Sequence, residues 1–247
     1  MSQTTHPDPA SSRHDAPVSA GLTIGFAISA CLWTLGYLLH FPGLSTPPIV
    51  VGLLLLVVQA VGSALAGMWG PSRAKLRLGL TTGLTMGLVN LLVLGSLLFE
   101  SSGETTQARP AAGVIVLGWL AYSLVLGVVG VWIGGAVSPG GGGRDQSAPA
   151  WRARFGVLAA LTMLPLLFVG GVVTTSDSGM AVPDWPNTFG SNMFLFPLSK
   201  MTGGVYFEHT HRLFGVLEGL TVLTLMALTI RGGGALAKKL AVIAFVL

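Results

Sequence analysis

Four residues at the mouth of one apolar stretch carry most of the chemistry open to this chain: Glu208, His209, His211 and Arg212. A carboxylate holds or moves a proton, an imidazole ligates a metal or a heme iron, and a guanidinium pairs with an anion. On a helix, Glu208, His211 and Arg212 stand at i, i+3 and i+4 and point to one side. Gly215 and Gly219 continue the stripe from His211 in steps of four, which leaves a flat slot where a porphyrin could lie against the backbone. Glu218 comes seven residues after His211, on nearly the same face and ~10 Å deeper by helix rise. A carboxylate at that depth in a bilayer needs a partner or a proton. His209 points ~160° away from His211, so only one of the two faces a given bundle core. The glycine stripe favours His211 and leaves His209 interfacial. A plainer reading stands beside this one: Glu208 and Arg212 form an interfacial i,i+4 pair, and both histidines face water.

The elements that must position these residues are membrane helices. Hydrophobic residues make up 51% of the 247 and charged residues 9%, against roughly 25% charged in soluble domains. Six stretches, near 20–41, 48–69, 77–99, 112–137, 155–173 and 207–230, are long enough to span, since a bilayer takes ~20 apolar residues. The expected fold is therefore an all-α polytopic membrane bundle. A seventh stretch begins after Lys238 and Lys239 and stops at Leu247, so the chain reads as the front part of a longer protein. Residues 1–18 are polar and Pro/Ser-rich and read as a disordered cytoplasmic tail without the pattern of a signal peptide. The single cysteine, Cys31, excludes an intrachain disulfide and reads as a small core residue.

A net charge of +4 taken alone is compatible with nucleic acid, but the placement of the charges points to a bilayer. Arg73, Lys75 and Arg77 fill the second loop, Arg144, Arg152 and Arg154 the fourth, and Arg231, Lys238 and Lys239 the sixth. The odd loops hold only Arg109 and Lys200. This alternation follows the positive-inside rule and places the N-terminus in the cytoplasm and the 174–206 loop outside.

Two blocks follow along the chain. Residues 19–137 form a four-helix membrane block of unassigned role. Gln59 and Asn90 are its intramembrane polar residues, both read as interhelical hydrogen-bonding groups, and His40 sits at a helix end. The spacings Gly83/Gly87 and Gly130/Gly134 suggest close helix packing. The stretch 138–150, SPGGGGRDQSAPA, reads as a flexible linker. Residues 151–247 then hold the chemistry.

The loop SGMAVPDWPNTFG, with Ser178, Gly179, Pro183, Asp184, Trp185, Pro186 and Gly190, resembles the first outer loop of the heme A synthase family. The following Glu208, His211 and Arg212 resemble that family's Glu-x-x-His-Arg helix start. The resemblance covers about residues 155–230 and implies an inner-membrane oxidoreductase that oxidises a methyl group of heme O to give heme A for cytochrome oxidase. It implies His211 as an axial heme-iron ligand, Glu208 as a catalytic or ligand-positioning carboxylate, and Arg212 as a cofactor contact. It implies heme b as cofactor, heme O as substrate, and heme O synthase or other oxidase-assembly proteins as partners beside the bilayer, with no nucleic acid. Family members with a cysteine pair in this loop carry it where this chain has Val182 and Thr188, so no redox-active loop is expected. The other heme ligands of the family fall beyond Leu247, and the first block is an addition to its pattern. A non-enzymatic bis-histidine heme protein for electron transfer is the competing reading, and a transporter using Glu218 as its proton site is a third.

Overall fold

The computed structural model describes residues 9–102, 105–138 and 146–246. Seven α-helices make up nearly all of it: α1 Pro9–Leu39, α2 Pro48–Trp69, α3 Lys75–Leu94, α4 Ala112–Val137, α5 Ala148–Thr175, α6 Gly203–Gly232 and α7 Ala235–Val246. Six of them are long and apolar enough to cross a membrane, and α7 is not among these. The all-α polytopic bundle expected from composition is the fold observed. The strands are short: β1 Phe99–Ser102 pairs antiparallel with β2 Thr105–Ala108, and β3 Asn187–Thr188 with β4 Ser191–Asn192.

Lipid tails are as apolar as leucine side chains, so hydrophobic burial does not drive membrane helices together, and they associate where small residues let backbones approach. That rule builds the first block. A Cβ on Gly134 would overlap the Ala64 carbonyl, and one on Gly67 the Val131 carbonyl, so α2 and α4 touch backbone to backbone. Gly83 of α3 lies against the Ser123 carbonyl of α4 in the same manner. The two glycine spacings read from the sequence thus mark real helix contacts. Asn90 accepts a hydrogen bond from the Trp33 indole at 3.0 Å, joining α3 to α1 as expected of it. Gln59 instead donates within its own helix, to the Leu55 carbonyl at 3.3 Å.

Helix α1 corrects three expectations. It begins at Pro9, so residues 9–18 are helical rather than a disordered tail, and residues 1–8 lie outside the described residues. Ala16, Ser19 and Ala20 are buried, because small side chains let the start of the helix pack as closely as its middle. Cys31 is exposed on the helix surface instead of buried in the core.

The third correction concerns the boundary between blocks. Helix α1 packs on α5 and α6 as well as on α2 and α3. Phe26 meets Phe155 edge-on at 5.5 Å, and Trp33 meets Phe214 at 6.3 Å. Tyr37 stacks on Tyr206 at 5.4 Å, and the Tyr206 hydroxyl donates to the Tyr37 carbonyl at 2.5 Å. One continuous core runs from Ala20 through Trp33, Met86 and Phe155 to Leu228. The glycine-rich stretch is a break in composition and not in packing. Residues 139–145 of it lie outside the described residues. Ser147 caps α5 by accepting from the Ala150 amide at 3.3 Å, and Ala148 to Ala150 are already helical.

Candidate functional site

Helix α6 enters the bundle beneath a loop that runs from Ser176 to Thr202. Three polar side chains of the first turns of α6 hold that loop. Glu208 is 6% exposed, and its Oε2 accepts from the Val182 amide at 2.6 Å. Its Oε1 takes Arg212 Nη2 at 2.5 Å, one turn on. Arg212 then donates to the carbonyls of Val182 at 2.8 Å, Asp184 at 2.5 Å and Asn187 at 3.1 Å. The i,i+4 pair read from the sequence is present, and it does more than the interfacial reading required. Both terminal nitrogens of Arg212 are occupied by protein, so its main work here is to fix the path of residues 182–187. A planar guanidinium with several donors in a fixed fork suits this task better than an ammonium.

The loop is preorganised for the grip. Phe189 and Gly190 have φ of +49° and +75°. They form the two-residue turn between the paired Thr188 and Ser191, as in a type I′ hairpin. Gly190 tolerates that conformation freely, whereas Phe189 needs support. Asp184 supplies it by accepting from both amides, at 2.8 Å from Phe189 and 2.7 Å from Gly190. The Gly190 amide is the largest cause, with help from Phe189 and the Arg212 charge, that holds the Asp184 carboxyl below its usual range against a smaller opposing effect of burial. The Trp185–Pro186 peptide is cis.

His209 and His211 part company as the helical geometry requires, but not in the manner expected. His209 is wholly buried rather than interfacial. Its Nδ1 shares a 3.0 Å hydrogen bond with Thr188 Oγ1, its ring lies 5.4 Å from Phe196, and its Nε2 is buried without a partner among the described residues. The loop folds down over it, and no local pattern in the sequence marks that covering. His211 is half-buried. Its ring sits against Gly170 of α5, where an added Cβ would stand 3.0 Å from Cε1. Its Nδ1 is buried with no hydrogen-bond partner among the described residues.

Two residues of the loop, Val182 and Thr188, carry anchoring groups. Val182 is 2% exposed and offers both its amide and its carbonyl to α6, and Thr188 is fully buried on His209. The loop is thereby fastened to α6 by hydrogen bonds.

Below His211, a Cβ added at Gly215 or at Gly219 would meet no atom within 4 Å. The stripe expected as a flat slot therefore faces open space. Glu218 lies deeper on α6 at 9% exposure, and its Oε2 is buried with no partner among the described residues. A heme needs a basic nitrogen and a flat apolar wall from this side. An uncommitted His211 imidazole above two open glycines meets that need for one axial position. No group of three or more His, Cys, Asp or Glu residues capable of holding a metal ion occurs among the described residues. A cavity of about 520 Å³ lined by Ser96, Arg109 and Ser199 contains none of the site residues.

Compared with family models, curated proteins and solved structures, the chain matches none.

Proposed function

We propose that the chain carries the first-half site of a heme A synthase-like membrane oxidoreductase, with heme O as substrate. Support comes from one observation above the others. Both histidines of the Glu208–Arg212 turn keep a buried ring nitrogen without a partner among the described residues, but His209 is committed to Thr188 through Nδ1, whereas the His211 ring makes no hydrogen bond among the described residues and stands beside Gly170 and above the open Gly215 and Gly219. An uncommitted buried ring nitrogen is costly unless something is to be bound there.

In this reading His211 would hold the heme iron, and the heme would supply the redox chemistry. Glu208 and Arg212 neutralise one another and draw the loop across the helix mouth, which limits the access of water. Gly170, Gly215 and Gly219 keep side chains out of the slot. The loop end of the bundle lies outside the bacterial inner membrane and the N-terminus lies in the cytoplasm, as the arginine and lysine alternation requires. Heme O synthase, or another oxidase-assembly protein, would deliver the substrate.

Glu208 also favours the second reading, a non-enzymatic heme protein for electron transfer. Both of its oxygens are engaged, one by Arg212 and one by the Val182 amide. A carboxylate so paired is better placed to position groups than to exchange protons.

The test is the protein purified as expressed from its own gene, in cells making heme O. Pigment extraction and the absorption spectrum should report bound heme, and extracts should contain heme A. Heme bound without any heme A would select the electron-transfer reading. An apoprotein that takes up no added heme would remove both.

A further inference from the structure

Between Arg212 and Arg231, helix α6 carries a single ionisable side chain, Glu218. Helix rise places it ~9 Å below Arg212 and ~20 Å above Arg231, inside the span. It is 9% exposed, and its Oε2 is buried with no partner among the described residues. A bare carboxylate at that depth is costly, and such a group marks a function by default.

The register of α5 on α6 fixes what Glu218 faces. An added Cβ on Gly170 would stand 3.0 Å from His211 Cε1, and one on Gly156 would stand 3.9 Å from Leu225 Cδ1. Glu218 lies midway between His211 and Leu225, and Thr162 lies within one residue of midway between Gly156 and Gly170. Thr162 is 3% exposed, and its hydroxyl is within hydrogen-bonding reach of Glu218. That hydroxyl already donates to the Ala159 carbonyl at 2.9 Å. Its oxygen is left only to accept. A carboxylate has no proton to give it, whereas a carboxylic acid does.

No charge stands opposite. Between Arg154 and Thr175 of α5, and between Asp15 and Leu39 of α1, there is no Asp, Glu, Lys, Arg or His. Cys31 and Tyr37 are the titratable groups of that stretch of α1, and both are neutral in the thiol and phenol forms. Helix α7 also packs on α6, and its Lys238 and Lys239 follow the far end of α6.

We propose that Glu218 is a proton-binding site inside the membrane, whose carboxyl holds one proton and donates it to Thr162 Oγ1. A hard metal cation takes several oxygen ligands, more than Glu218 and Thr162 supply, so a proton suits the site better. Release of the proton leaves a negative charge in the α5–α6 contact with no cation opposite, so proton binding and release act directly on that contact. This assignment uses none of Glu208, His211 and Arg212 and stands apart from the heme reading.

The test is infrared spectroscopy of the protein at neutral pH in dodecyl maltoside, a detergent without a carbonyl group. The carbonyl stretch of an undissociated carboxylic acid is expected, shifted by labelling with 13C-glutamate and lost in Glu218→Gln. The label reads the native protein directly, so the result does not depend on the variant folding. Thr162→Val should move the band to higher frequency, because the acid loses its acceptor. Glu218→Gln should melt within a few degrees of the native protein, since the amide keeps a neutral group of the same shape. Loss of a carboxylate band in Glu218→Gln, with no acid band in the native protein, overturns the assignment. A band unmoved by Thr162→Val overturns the donation to Thr162. A large rise in the melting temperature of Glu218→Gln, the mark of a buried charge removed, also overturns it. Conversion of the acid band to a carboxylate band on adding sodium or calcium chloride overturns it in favour of a metal cation.

Discussion

The Arg212 guanidinium lies 2.5 Å from Glu208 Oε1, one helical turn back on α6. From that fixed position it reaches three carbonyls, of Val182, Asp184 and Asn187, in the loop above. A pair that the sequence presents as local is thus the clamp between a helix and the loop that precedes it.

Arg212→Ala should release the loop. With several charge-assisted hydrogen bonds lost at a partly exposed site, the cost is about 2–3 kcal/mol. Thermal unfolding in detergent should show it, together with faster proteolysis within residues 176–202. Arg212→Lys should recover only part of the loss, since an ammonium lacks the planar fork. Full recovery by lysine would mean that charge alone matters.

Asp184 sets an acid limit on the same loop. Its carboxyl titrates below the ordinary value of 3.8, chiefly through the Gly190 amide. A depressed folded value stabilises the loop above the unfolded value, and that stabilisation is lost as pH falls through the folded one. Emission from the exposed Trp185 should therefore hold from neutrality to about pH 4 and change below it. In Asp184→Asn that acid step should vanish. A step that persists in the variant would assign it to another group.

His209 and His211 should separate stability from ligand binding. His209→Ala empties a fully buried position and breaks the bond to Thr188, at a cost of about 2–4 kcal/mol. His211→Ala removes a ring with no hydrogen bond at Nδ1 among the described residues and should leave the melting temperature within a few degrees. If His211 is the axial ligand, its variant alone should be folded and depleted of heme. Heme retained at normal content in His211→Ala would end the ligand assignment.

Helix α1 should prove inseparable from the histidine-bearing pair. Tyr206→Phe, which loses the bond to the Tyr37 carbonyl, should cost about 1 kcal/mol. Removing residues 1–47 strips the ring contacts of Phe26, Trp33 and Tyr37 from α5 and α6, and the remainder should elute as aggregate in size-exclusion chromatography. A monodisperse, folded product would show that the second block closes without α1.

Orientation is open to direct labelling. Met180 is 85% exposed on the loop. Met180→Cys in a Cys31→Ala background should react with an impermeant maleimide added outside intact cells. Reaction only after the cytoplasmic side is exposed would reverse the topology.

The helices were legible in the sequence because a bilayer imposes a length and a composition on any segment that crosses it. The spans at 48–69 and 112–137 match α2 and α4 residue for residue. The Gly83/Gly87 and Gly130/Gly134 contacts were legible too, since only small residues allow such approach. So was the i,i+4 relation of Glu208 to Arg212, which helical periodicity alone dictates. What periodicity cannot contain is the partner across space. Burial of His209 depended on Thr188 and Phe196 folding down from a loop with no repeat of its own. The employment of Arg212 depended on where the carbonyls of Val182, Asp184 and Asn187 come to lie. The union of α1 with α5 and α6 depended on a contact between Tyr37 and Tyr206, 169 residues apart in the chain. Local order is written in the spacing of residues along one element, whereas these contacts are decided only when separate elements pack.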